Sequence, residues 1–132
     1  DCDDDALMHG PTFMANPLAC AAGLASLQLF DDVDTDAKVQ RIESWMTAGL
    51  APCVDVDGVV DVRVRGAIGV VELDHKDDLA WLRRRFVDEG VWVRPLENVV
   101  YLMPALVIDE DDTRVLTNAV SQVLQERAAT RR

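Results

Sequence analysis

Lysine is nearly missing from this sequence of 132 residues, occurring only as Lys38 and Lys76. Basic residues number 13 against 24 acidic ones, for a formal net charge of −11. Such a field repels phosphate backbones and anionic lipid surfaces, which excludes nucleic-acid and membrane-surface partners. The three cysteines, Cys2, Cys20 and Cys53, form no CxxC and no even set, so neither a disulfide framework nor a zinc or redox motif is implied. Histidine occurs only as His9 and His75, with no Cys or carboxylate cluster around either, so a metal site is not expected. No apolar stretch reaches the span of a membrane helix, and the acidic opening Asp1-Cys2-Asp3-Asp4-Asp5 has neither part of a secretory leader. A soluble, cytoplasmic protein with free thiols is expected. The opening lacks an initiating methionine, which suits a chain cut from a longer one and a solvated acidic tail equally.

What is present is apolar material in periodic order. Hydrophobic residues make up 49% of the chain, enough for one compact core without staples. Asn16-Pro17 is a helix start, and a helix is predicted from Pro17 to Phe30, apolar on nearly every face. A helix of that kind needs cover on all sides, and a domain of this size has little to offer. In it Cys20 reads as a small core residue rather than a nucleophile. Asp31 to Asp34 form a linker, and Val39, Ile42, Trp45, Met46 and Leu50 mark an amphipathic helix over 36–50. The period then changes to two. Val62 and Val64 oppose Asp61, Arg63 and Arg65, and the run from Ala67 to Leu73 reads as a more buried strand, the two forming either one bent strand or a hairpin. A helix over 78–89, capped by Gly90, carries Leu79, Leu82 and Phe86 on one face. Two β-type runs, Val91 to Arg94 and Val99 to Met103, are predicted to form a hairpin around Pro95-Leu96-Glu97-Asn98. The last helix, over 110–127, has acids first, arginines last, and a stripe of Leu116, Ala119, Val120, Val123 and Leu124. This order implies an α+β fold, an antiparallel sheet with helices on one face. Trp45, Trp81 and Trp92 read as core or interface anchors rather than a base-stacking platform.

The stretch His9-Gly10-Pro11-Thr12-Phe13-Met14-Ala15-Asn16-Pro17-Leu18-Ala19-Cys20-Ala21 resembles the class III aminotransferases, and within them the branch that serves biotin synthesis. Arg65-Gly66-Ala67-Ile68-Gly69-Val70-Val71-Glu72, Gly90 to Pro95, and Tyr101-Leu102-Met103-Pro104 carry the same resemblance, in order and spacing, over nearly the whole chain. It implies the C-terminal small domain of a fold-type-I transferase that depends on pyridoxal phosphate (PLP). Residues 1–30 would be an interface turn and buried connecting helix, and residues 31–132 the small domain. The implied reaction moves an amino group from S-adenosylmethionine to 8-amino-7-oxononanoate in a homodimer, or together with a complementing large domain.

The resemblance also implies roles. Thr12 matches a threonine that hydrogen-bonds the cofactor phosphate across the dimer interface, with Pro11 beside it as a second cofactor contact and Gly10, in the same turn, as a substrate contact; a hydroxyl and turn N–H groups suit a phosphate. Arg94 matches the arginine that takes the keto-acid carboxylate, a task for a bidentate guanidinium. Tyr101 matches a tyrosine near the substrate end. Taken alone, His9 to Phe13 reads as a turn before a helix, while Arg94 could as well be a strand-end surface charge and Tyr101 an ordinary amphipathic strand residue. The family also needs a lysine bonded to the cofactor, and neither Lys38 nor Lys76 sits in a matching motif, so the segment by itself is expected to be inactive. Met103-Pro104-Ala105-Leu106 departs from the family, which continues with a second proline and an aromatic. Two other readings remain open: a different class III aminotransferase, and a non-catalytic small-domain remnant or interaction module.

Overall fold

A computed structural model describes residues 10, 12–32, 34–76 and 79–130. The chain divides into two compact units, Asp1–Asp34 and Thr35–Arg132. In the first, a turn over Thr12 to Ala15 leads into α1 (Pro17–Asp32). The start is fixed by Asn16, whose side-chain oxygen accepts from the N–H groups of Leu18 and Ala19 at 3.0 and 3.1 Å. Pro17 follows at the first helical position, where its missing N–H leaves no bond unmade. The described residues of α1 are exposed, including Leu18, Leu24, Leu27, Leu29 and Phe30. Cys20 is exposed with them, not the small core residue its apolar neighbours suggested. A helix apolar on nearly every face has no single inner side, so burial there depends on material that no described residue of its unit provides.

The second unit contains α2 (Thr35–Leu50), a short 3₁₀ turn (Ala51–Asp55), β1 (Val59–Arg65), β2 (Ile68–Leu73), α3 (Leu79–Asp88), β3 (Val99–Leu102) and α4 (Glu110–Thr130). The strands form one antiparallel sheet in the order β1-β2-β3. Gly66 turns the chain between β1 and β2 at a φ of +56°, a conformation that glycine adopts without strain. On one sheet face Gly69, Val71, Leu73, Val100 and Leu102 are buried. Ile42, Met46 and Leu50 of α2, Leu82 and Phe86 of α3, and Val120, Val123 and Leu124 of α4 complete the core. On the other face Asp61, Arg63, Arg65, Ile68 and Tyr101 are exposed. This is an α+β unit with its helices on one face of an antiparallel sheet. Alternation set that outcome, because a strand whose odd and even positions differ in polarity can bury only one side.

The predicted hairpin of residues 91–94 with 99–103 did not form as a strand pair. Among the described residues the run 91–95 joins no strand ladder; the isolated Leu96–Val99 bridge closes the turn that follows it, while β3 pairs with β2. The period-two signal was correct in itself, since Val91, Val93 and Pro95 are buried while Trp92 and Arg94 are exposed. Pro95 has no N–H to give to a ladder, and burial of alternate side chains can hold a segment extended without one. Trp45 and Trp81 pack on the core as anchors, whereas Trp92 is 79% exposed and does not.

Polar contacts tie the second unit together. Arg127, near the end of α4, is 3% exposed and donates to Asp74 at 2.8 Å and to the Gly58 carbonyl at 3.3 Å. Arg85 of α3 reaches Glu126 of α4 at 2.9 Å, and also Asp88 and Glu89. Its hydrogen bond holds the Glu126 carboxyl below the usual carboxylate range.

Candidate functional site

The features that could bind a small molecule gather where the 91–95 run meets the end of β3. Period-two geometry places Trp92 and Arg94 on one side of the extended run, and Tyr101 and Met103 on one side of the β3 backbone and its continuation. These four, with Pro104 and Leu116 of α4, line a concavity of about 280 Å³.

The connection between the two walls is rigid for local reasons. Leu96 and Val99 exchange backbone hydrogen bonds, each at 2.9 Å, across a turn in which Glu97 adopts a φ of +54°. Asn98 clamps that turn to the end of β2: its carbonyl accepts from the Leu73 N–H at 2.7 Å, and its side-chain amide donates to the Leu73 carbonyl at 3.0 Å. Lys76 pairs with Glu97 at 3.3 Å. On the other side, Arg83 of α3 donates to the Pro95 carbonyl at 3.5 Å. Arg94 and Tyr101 are thus brought together by a braced turn.

Arg94 is not one of the arginines tied to a carboxylate. Arg63, Arg85, Arg114 and Arg127 each hold a carboxylate. Among the described residues Arg94 has no hydrogen bond or ion pair, although the chain carries 24 acidic residues. An unoccupied guanidinium at the edge of an apolar hollow is suited to an external carboxylate, to which it can give two parallel hydrogen bonds.

A second, larger hollow of about 610 Å³ lies between α2 and α4, lined in part by Trp45, Gly49, Arg114 and Thr117. Its arginine is already paired with Asp111 at 2.7 Å. Among the described residues no group of His, Cys, Asp and Glu could hold a metal ion. No helix described is long and apolar enough to cross a membrane.

Thr12 lies in the first unit, in the exposed turn before α1, and its hydroxyl has no hydrogen-bond partner among the described residues. Gly10 is exposed, and nothing lies within 4 Å of where a Cβ would stand. Pro11, named with them as a cofactor contact, falls outside the described residues, as does His9.

Residues 3–124 match the family model described as Aminotransferase class-III. The chain belongs to the class III aminotransferase family. Its relatives include the adenosylmethionine-8-amino-7-oxononanoate aminotransferase of Mycobacterium leprae, 46% identical over 118 residues that make up 89% of this chain and 27% of that protein. This class III chain therefore spans about a quarter of the length of the curated relatives it matches. Among solved structures, the enzyme of the same name from Methanocaldococcus jannaschii is 27% identical with a TM-score of 0.80, covering 91% of this chain and 30% of that one. An amine transaminase from an uncultivated Pseudomonas species, in its PLP-bound form, is 25% identical with a TM-score of 0.80, covering 92% and 30%. The fold is that of the small domain of fold-type-I PLP-dependent transaminases.

Trp92 and Met103 were not singled out from the sequence as site residues. Their signal was there, in the same alternation that placed Arg94 and Tyr101, since residues two apart on an extended chain share a side.

Proposed function

We propose that this chain is the small-domain part of a PLP-dependent aminotransferase that moves an amino group from S-adenosylmethionine to 8-amino-7-oxononanoate, giving 7,8-diaminononanoate for biotin synthesis. The observation that carries the proposal is the unpartnered guanidinium of Arg94 in a concavity shared with Tyr101. The names of the relatives at high identity support the choice of reaction.

In this reading Arg94 receives the carboxylate of the keto acid, and the Tyr101 hydroxyl lies beside the bound chain. The turn Gly10-Pro11-Thr12 holds the cofactor phosphate. The described part of that turn fits such a group: among the described residues the Thr12 hydroxyl has no competing partner and nothing crowds the position a Cβ would take at Gly10, so a ligand can approach the backbone closely. Bound PLP supplies the electron sink that makes exchange of an amino group between two carbon skeletons feasible. The lysine that carries it comes from outside these residues, because Lys76 is engaged with Glu97 and Lys38 sits on α2, and neither lines the Arg94 concavity. Residues 1–30 serve as the interface turn and connecting helix, and the working protein is a cytoplasmic homodimer.

The test is reconstitution with a lysine-bearing large domain of the family, followed by assay for 7,8-diaminononanoate. Arg94→Ala raises KM for the keto acid about 10- to 150-fold with kcat little changed, as expected from losing a charge-assisted hydrogen-bonded pair of roughly 1.5–3 kcal/mol. An unchanged KM removes Arg94 from the substrate. Turnover with every donor except S-adenosylmethionine identifies another class III aminotransferase, and failure to retain PLP identifies a non-catalytic module.

A further inference from the structure

We propose that Asn98 is a positioning residue: its side-chain amide completes the last rung between β2 and the turn before β3, and this fixes where the Arg94 guanidinium stands against Tyr101. The assignment rests on Arg94 as the carboxylate receptor and adds the residue that holds it in place.

The geometry of that rung singles Asn98 out. Glu72 pairs with Val99, so Leu73 and Asn98 are the next partners in register. A regular antiparallel rung of this kind closes with two backbone bonds. Here the backbone supplies one, from the Leu73 N–H to the Asn98 carbonyl at 2.7 Å. The Asn98 side chain supplies the other, its amide donating to the Leu73 carbonyl at 3.0 Å. The backbone N–H of residue 98 is thereby released from the ladder, and the chain turns at once through Glu97, at a φ of +54°, into the Leu96–Val99 bridge. The other braces on this turn are weaker. Lys76 and Glu97 are both exposed, and such a pair contributes little in water. The bond from Arg83 to the Pro95 carbonyl, at 3.5 Å, lies at the outer limit of hydrogen bonding.

Little slack separates Asn98 from Arg94. Leu96 is tied to Val99 through both its N–H and its carbonyl, and Pro95 is buried. Proline has a fixed φ and confines the residue before it to extended backbone. A displacement of residue 98 is therefore passed along the turn to Arg94. Tyr101 is held separately, by its pairing with Val70 in the ladder between β2 and β3. Loss of the Asn98 amide thus moves one wall of the concavity relative to the other. A displaced guanidinium that makes one carboxylate hydrogen bond in place of two binds about 3- to 10-fold more weakly.

The experiment measures KM for 8-amino-7-oxononanoate in the reconstituted aminotransferase, and backbone amide signals by NMR in the isotope-labelled 132-residue chain. Asn98→Ala, and the isosteric Asn98→Asp, which has no side-chain N–H to give, should each raise KM about 3- to 10-fold with kcat little changed. In an Arg94→Ala background neither should add more than about twofold, because the group it positions is gone. Lys76→Ala should leave KM unchanged. In the labelled chain Asn98→Ala should shift the amides of Arg94 and Leu96 while those of Val70 and Tyr101 stay in place, which also shows that the sheet is intact. If Arg94→Ala raises KM while Asn98→Ala does not, or if Asn98→Ala raises KM equally with and without Arg94, positioning by Asn98 is overturned and the carboxylate role stands. Amide shifts confined to residues 97–99, or as large at Val70 and Tyr101 as at Arg94, overturn it as well. If Arg94→Ala itself leaves KM unchanged, the carboxylate role fails and this assignment falls with it.

Discussion

Gly49→Ala is the substitution in which two well-understood effects oppose each other most directly. Alanine in a helix is favoured over glycine by about 1 kcal/mol, so propensity alone predicts a more stable protein. The structure predicts the reverse. A Cβ on Gly49 would stand 2.7 Å from the Cβ and 2.9 Å from the Cγ2 of Thr117 on α4, and would overlap its Oγ1. Carbon atoms pack best at about 3.5–4.0 Å, so α2 and α4 must separate or Thr117 must turn. Turning is obstructed because Thr117 is 1% exposed and its hydroxyl donates to the Thr113 and Arg114 carbonyls at 3.0 and 3.2 Å. Overpacking costs about 1–3 kcal/mol and a displaced buried hydroxyl about 1 kcal/mol more, which outweighs the propensity gain. A net loss of about 1–3 kcal/mol should lower Tm by about 4–8 °C per kcal/mol in a domain of this size. Thermal melts followed by circular dichroism measure it, with urea unfolding as a second route. In a Thr117→Ala background the penalty should shrink, giving a coupling energy of about 1 kcal/mol. A Gly49→Ala protein as stable as the parent would refute the argument, because the two helices would then not be held at the distance that makes glycine necessary.

Other expectations are simpler. Arg85 lowers the pKa of Glu126 in the folded state, so this contact contributes stability above the unfolded pKa of about 4.3 and loses it as pH falls through the lower folded value. Urea unfolding between pH 7 and pH 3 should therefore show a steeper acid loss in the parent than in Glu126→Gln, and equal slopes would contradict the assignment. Burial pushes the Cys53 thiol up, with a smaller opposing effect from Ser121, whereas Cys20 is exposed. Iodoacetamide at mildly alkaline pH should modify Cys20 well before Cys53, as read by peptide mass spectrometry, and labelling of Cys53 at the same rate would show that its surroundings open readily.

How much could be seen in the sequence differed by element. The helices and the strands β1 and β2 were legible because periods of 3.6 and 2.0 are properties of neighbouring residues, and Gly90 and Asn16 mark caps locally, whereas one bent strand and a hairpin about Gly66 were equally compatible with the alternation. The partner of the 91–95 run was not legible. Alternation says which side of a segment is buried but not which strand it pairs with, and here Pro95 favoured burial without pairing. The burial of Cys20 was misread for a related reason: an apolar helix states that it needs cover, not that cover is present. At the site, Arg94 and Tyr101 were recognised through the family resemblance, because nothing local distinguishes a binding arginine from a surface one. What distinguishes Arg94 from Arg41, Arg65 and Arg84, which also hold no carboxylate among the described residues, is its place beside Tyr101 in the lining of a concavity, and that is a property of the folded arrangement.

The buried Arg127 has a consequence for the order of events during synthesis. It is 53 residues beyond Asp74 and 69 beyond Gly58, the two groups it secures. The β1–β2 hairpin leaves the ribosome long before α4 exists, so its apolar face, with Val71 and Leu73, must wait for Val120, Val123 and Leu124. Closure of so distant a contact is slow compared with the formation of a hairpin or helix. The waiting hairpin is therefore the stage at which a chaperone would engage this chain or, without one, at which neighbouring nascent chains would stick together.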